Sequence, residues 1–128
     1  MNISRLASSM LVLTALVLAS GCASQQKKTP AEIFCGMWRV SLTSPDEAAS
    51  SDKIVVFEPN GITTQGYMRE GVYTASMTAR WTVEGTTIIV EQKTGGREIR
   101  PFVIDDPDRF RILGEDGSVK AWGLRIRD

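Results

Sequence analysis

The sequence has 128 residues, of which 42% are hydrophobic and 23% are charged, and its 15 basic residues are balanced by 15 acidic ones. This length predicts one folded domain, and the composition excludes both a disordered chain and a strongly basic nucleic-acid binder. The sequence has no histidine, which excludes Ser-His-Asp triads, Cys-His pairs and histidine zinc sites.

The N-terminal segment is organised like a secretory signal. A start with a single charge, Arg5, precedes an apolar run from Met10 to Leu18 and then the small residues Ala19 to Gly21. The run is about half as long as the roughly 20 apolar residues that span a bilayer. A cleaved signal is therefore favoured over a membrane helix.

The segment Leu18-Ala19-Ser20-Gly21-Cys22 resembles the bacterial lipobox. The resemblance implies a lipoprotein signal peptide over residues 1–21, cleavage before Cys22, and acylation of that cysteine with palmitate or similar chains. An ordinary secreted protein is the alternative. Ala23 and Ser24 follow without an aspartate, which favours the outer membrane, with the protein on its periplasmic face.

A flexible tether is predicted next. Residues 23–31 have no apolar periodicity, and we place the lipidated cysteine and its tether over residues 22–33, before a β-barrel domain over residues 34–128. Lys27 and Lys28 are either solvated or in contact with anionic head groups.

From residue 34 onward, the hydrophobic pattern has the period of two that is typical of β-strands. The clearest case is the stretch from Tyr73 to Val83, where every second residue is apolar, so we expect one face of this strand to be buried throughout. The pattern predicts about eight strands: Trp38 to Leu42, Lys53 to Glu58, Ile62 to Met68, Tyr73 to Val83, Thr86 to Lys93, Arg97 to Ile104, Arg109 to Leu113 and Ser118 to Arg127.

The connections between these strands are mostly short and rich in turn residues, such as Pro59-Asn60-Gly61 and Gly95-Gly96. Loops this short join antiparallel strands, and unpaired edges favour closure of the sheet. We therefore predict an all-β fold, a small antiparallel up-and-down β-barrel of about eight strands with its centre filled by side chains. A two-sheet sandwich is the alternative. The longer connection from Ser44 to Asp52 is either a mobile loop or a short helix begun by Ser44 and Pro45.

The strand pattern and a few terminal residues resemble the lipocalin and wider calycin pattern, and in particular small bacterial lipocalin-like lipoproteins. Gly36-Met37-Trp38 opens the first strand, and the last strand carries Arg125 and Arg127. In calycins, the tryptophan of a G-x-W motif packs across the closed end of the barrel against an arginine from the final strand. The resemblance therefore implies a structural seal formed by Gly36, Trp38 and an arginine, for which we prefer Arg125.

A second resemblance is to the small barrel inhibitors of secreted bacterial metalloproteases. These inhibitors share the G-x-W start and an ending that corresponds here to Asp108-Arg109-Phe110 with Asp116-Gly117-Ser118. This resemblance implies a barrel that binds another protein.

Two candidate sites have ordinary structural interpretations. Asp105, Asp106 and Asp108 form the densest carboxylate cluster, which we interpret as a turn rather than a Ca²⁺ site. Cys35 has no partner for an intrachain disulfide once lipid occupies Cys22, and we interpret it as a small buried residue, with a reactive or intermolecularly paired thiol as the alternative.

Tryptophans and arginines supply the candidates for binding. Trp38, Trp81 and Trp122 either pack in the core, which we favour, or line a pocket. Arginines on two successive predicted strands indicate an exposed basic surface for an acidic partner or a lipid surface, with ordinary surface charge as the alternative. These arginines are Arg97, Arg100, Arg109 and Arg111.

The sequence favours binding over catalysis. Glu84 and Glu115 have no visible partner for paired-carboxylate chemistry, so we expect no enzyme, no catalytic residues, no metal and no cofactor. Our first hypothesis is an outer-membrane lipoprotein whose barrel binds another envelope protein or macromolecule, as an assembly component or an inhibitor. The alternative is a lipocalin-like carrier of a small hydrophobic ligand. It comes second because the T-D-Y motif of lipocalins is absent and the sequence is much shorter than that of a ligand-carrying lipocalin.

Overall fold

The computed structural model describes residues 28–127, so the predicted signal peptide and Cys22 lie outside the described residues. Eight antiparallel strands form a closed barrel in which each strand pairs with its sequence neighbours and β1 pairs with β8. The prediction of an all-β antiparallel barrel is confirmed, and the sandwich alternative is wrong. The strands are β1 (Gly36–Ser41), β2 (Lys53–Phe57), β3 (Ile62–Arg69), β4 (Val72–Glu84), β5 (Thr87–Gln92), β6 (Arg97–Asp106), β7 (Arg109–Leu113) and β8 (Val119–Arg125).

A short helix, α1 (Pro30–Phe34), precedes the barrel. Thr29 and Glu32 form a capping box, in which the Thr29 hydroxyl accepts the Glu32 N–H and the Glu32 carboxylate accepts the Thr29 N–H at 3.0 Å. The predicted tether over residues 22–33 therefore extends too far. Its last residues belong to a helix, because the capping box and Pro30 begin one and Phe34 buries its ring in the barrel.

A second short helix, α2 (Pro45–Ala48), lies in the connection between β1 and β2. Ser44 caps it, and it contacts β1 and β8 with Ala48 buried. The helical alternative for this connection is thus confirmed. Within residues 28–127, neither helix has the length and apolar character needed to cross a bilayer.

A β-bulge at Ser76 interrupts the alternation of β4, because the pairing with β3 skips this residue. On the two sides of the bulge, opposite sets of alternate residues face the interior of the barrel. The Tyr73 hydroxyl forms a 2.7 Å hydrogen bond with the hydroxyl of the outward-facing Thr64. The prediction of one buried face from Tyr73 to Val83 is therefore correct from Met77 onward and wrong for the residues before the bulge.

The buried core fills one end of the barrel. We call it the closed end, and it is the end at which Gly36 of β1 pairs with Phe57 of β2. The opposite end, where the β1–β2 connection and the β3–β4, β5–β6 and β7–β8 turns lie, is the open end. The core cluster consists of Phe34, Trp38, Phe57, Trp81, Ile88, Phe102 and Phe110.

Candidate binding cavity

The closed end is sealed by Trp38 and Arg125. The two residues pair across β1 and β8, and the guanidinium carbon lies 4.3 Å from the centroid of the fully buried indole. The indole N–H donates to the Phe34 carbonyl at 2.8 Å. Arg125 donates to the carbonyls of Cys35 at 2.8 Å and Pro107 at 2.9 Å. One side chain therefore ties α1 and the β6–β7 turn to the end of the barrel.

Gly36 provides the space for this arginine. Its φ of 133° favours glycine, and a Cβ at this position would lie 2.6 Å from the Nη1 atom of Arg125. Gly36, Trp38 and Arg125, the three residues that the calycin resemblance implies, thus come together at the closed end.

Cys35 lies beside the seal, half-buried and packed against the core. Burial raises the pKa of its thiol, Glu32 raises that pKa further, and the positive charge of Arg125 opposes both effects. A raised pKa keeps the thiol protonated at neutral pH, which disfavours a nucleophilic role.

The predicted carboxylate cluster is engaged with arginines. Asp105 accepts three hydrogen bonds from Arg111, at 2.8 Å, 3.0 Å and 3.2 Å. Asp108 accepts from Arg127 and lies 3.3 Å from the Nε atom of Arg125. Hydrogen bonding and positive charge from Arg127, together with the charge of Arg125, hold the pKa of the Asp108 carboxyl below its usual range.

The four arginines of the predicted basic surface do not lie together. Arg109 and Arg111 are on β7 near acidic side chains, and Arg97 is exposed at the start of β6. Arg100 lines the interior of the barrel, because it alternates with the buried Phe102 and alternate residues of a strand share a face. Arg100 is therefore not part of an exposed stripe.

Two of the three tryptophans belong to the core of the closed end, and the third lies on the outer face of β8. Trp81 belongs to the core cluster with Trp38, and its indole N–H donates to the Glu58 carbonyl at 2.9 Å. Trp122 is half-buried and pairs with Ser41 of β1, on the face where α2 contacts the barrel.

A cavity of about 340 Å³ occupies the barrel between the aromatic core and the open end, so the prediction of a centre filled by side chains is correct only toward the closed end. Phe57, Ile88 and Phe110 belong to both the core and the cavity lining, so they form its floor. The volume falls within the range of small-molecule pockets. The walls are aliphatic and come from five strands: Val40, Val55, Val90, Ile112 and Ala121.

Polar and charged side chains line the cavity toward its mouth. They are Lys53, Gln65, Tyr67, Ser76, Glu98 and Arg100. Lys53 and Glu98 are not among the site residues predicted from the sequence, although the strand pattern identifies them. Lys53 alternates with Val55 along β2, and Glu98 alternates with Arg100 along β6, so strand periodicity alone assigns both to the inner face.

The sequence matches no protein-family model, and no curated protein matches it.

Proposed function

We propose that this protein is a noncatalytic outer-membrane lipoprotein of the small calycin type, whose barrel binds one small, partly apolar molecule through its open end. The observation that carries the proposal is the cavity, with its aliphatic walls and aromatic floor. The volume of about 340 Å³ lies toward the lower end of the range for small-molecule pockets, which favours a ligand of modest size.

The cavity favours a small ligand over an envelope macromolecule. One support for the macromolecular hypothesis was a surface of four arginines. Arg100 is turned into the cavity, and Arg111 is neutralised by Asp105, so this support is weakened. The contact between Gly36, Trp38 and Arg125 supports the calycin resemblance. Such a seal closes one end of the barrel and leaves the other available to a ligand.

Calorimetric titration with octanoate and octanol, which are small and partly apolar, tests the proposal. The full-length chain carries Cys22→Ser, so that no acyl anchor competes for the cavity. We expect at least one of the two compounds to bind with a stoichiometry of one. Val90→Trp places an indole in the cavity and should abolish binding. Ile99→Trp, on the exposed outer face of the next strand, is the matched control and should bind normally.

Two results contradict the ligand-binding proposal. One is no binding of either compound to a chain that circular dichroism shows to be folded. The other is wild-type affinity in the folded Val90→Trp variant, since a ligand inside the cavity cannot share it with an indole.

The anchor has a separate test. Cys22→Ser should abolish labelling with palmitate and release the protein from membranes, because it removes the only thiol in the lipobox-like segment. A variant that still takes up palmitate and sediments with the outer membrane would overturn the lipoprotein proposal.

A further inference from the structure

The charges that line the cavity are not balanced. Lys53 and Arg100 carry two positive charges and Glu98 carries one negative charge, which leaves one positive charge in excess. Among residues 28–127, the ion pairs join Arg109 to Asp106, Arg111 to Asp105, and both Arg125 and Arg127 to Asp108. The three charged side chains of the cavity take part in none of these pairs.

Arg100 is the most unusual of the three. The other β6 and β7 arginines named above extend outward, whereas Arg100 is half-buried on the inner face, next to aliphatic walls. A guanidinium in such surroundings attracts an anion more strongly than one in water, because the local dielectric constant is lower. Its donors form a planar fork that matches both oxygens of a carboxylate.

Glu98 limits the charge that this site accepts. It lies two residues from Arg100 on the same inner face, so its carboxylate repels a second negative charge on a bound molecule. With one positive charge in excess, the lining is neutralised by a ligand with a single negative charge. A carboxylate satisfies this condition better than a doubly charged phosphate does.

We infer that the ligand is a small monocarboxylate whose acid group binds Arg100 at the mouth, with Lys53 nearby, and whose apolar body packs against Val55 and Val90. This inference rests on the proposed function and specifies its ligand class. The closed end sets the length of the apolar body, because Phe57 and Phe110 block further entry. This floor favours short or medium-length acids over long acyl chains.

The test compares octanoate, octanol, octylamine and octyl phosphate in calorimetric titrations of the full-length Cys22→Ser chain. We expect octanoate to bind about tenfold or more tightly than octanol, as an added charged hydrogen-bonding contact implies. Arg100→Gln should remove this advantage and leave the affinity for octanol unchanged. Arg97→Gln, which alters an exposed arginine on the outer face of the same strand, should change neither affinity.

Glu98 gives an independent readout. If its charge sets the preference for a monoanion, Glu98→Gln should improve the binding of octyl phosphate more than that of octanoate. Equal improvement of both compounds would overturn the role of Glu98 in selecting a single charge.

The outcomes separate this inference from the proposed function. Equal affinities of the wild type for octanoate and octanol, or a preference for octylamine, would overturn the carboxylate inference and leave the binding cavity intact. An Arg100→Gln variant that keeps the full advantage of octanoate would overturn it as well. Failure of all four compounds to bind would instead remove the proposed function.

Discussion

The two ends of the barrel are built from the same strands and filled in opposite ways. At the closed end, Phe34 lies 4.9 Å from Phe102 and 5.1 Å from Phe110 between ring centroids, and Arg125 bonds α1 to the β6–β7 turn. At the open end, inward positions carry smaller aliphatic residues and charged side chains that form no ion pair within residues 28–127. Close packing is thus confined to the closed end, so that stability and the proposed binding are divided along the barrel axis. The aromatic end holds the fold, so the open end can remain unfilled.

The largest expected effect is at the closed end. Trp38→Ala removes a fully buried indole and should lower the free energy of unfolding by about 3–5 kcal/mol. Val90→Ala removes only two methyl groups from a partly exposed wall and should cost about 1 kcal/mol. Urea denaturation measures both values. Equal losses would show that the two ends contribute alike and would contradict the division.

The contact between Trp38 and Arg125 sharpens the same comparison. In a double-mutant cycle of Trp38→Ala with Arg125→Ala, we expect a coupling of about 0.5–3 kcal/mol, because the two groups stack and share α1 as a partner. Arg127→Ala, which removes an exposed ion pair with Asp108, is the control and should show no coupling to Trp38. Additive effects of Trp38→Ala and Arg125→Ala would contradict the proposed seal.

Filling the cavity should increase the stability of the fold. Ala121 is a half-buried wall residue of the cavity. Ala121→Leu should raise the free energy of unfolding by about 0.5–2 kcal/mol and weaken the binding of octanoate. Thermal unfolding and calorimetry measure the two changes. A variant that is less stable than the wild type would indicate that this position is already tightly packed.

The smallest expected effect is the dependence on pH. Contacts with Arg127 and Arg125 lower the pKa of Asp108 in the folded protein, so its contribution to stability is present above the unfolded pKa of about 4. That contribution should be lost as the pH falls through the lower folded pKa. Asp108→Asn should flatten the decline of stability between neutral and acidic pH in urea titrations. An unchanged decline would show that other carboxyls account for it.

The strands and turns of the fold follow from local sequence, but the bulge does not. The alternation of apolar residues and the glycine-containing turns are signals that lie within a few residues of sequence. The capping box at Thr29 and Glu32, which identifies α1, is equally local. The bulge at Ser76 depends on the partner strand. Gly66 of β3 approaches β4 so closely that a Cβ would lie 1.9 Å from the Thr74 carbonyl oxygen. Such an approach is set by the closure of the sheet and cannot be derived from one strand.

The candidate site, like the fold, is only partly predictable from the sequence. The alternation of Arg100 with Phe102 assigns Arg100 to the inner face. The sequence alone therefore suffices to exclude Arg100 from an exposed surface of arginines. The cavity was not predictable, because its volume depends on where large inward residues give way to small ones once the ring closes. Phe110 and Ile112 are neighbours on one inner face of β7, yet only Phe110 belongs to the buried core.

The direction of β1 determines how the barrel is presented to its surroundings. This strand begins at the closed end and runs toward the open end, so the chain enters the barrel on the side away from the mouth. An anchor at Cys22, as proposed, would attach the barrel by its closed end and leave the mouth accessible from the aqueous periplasm. Exchange of a ligand would then occur through water, a route open to short, soluble acids and closed to molecules that must stay in a membrane.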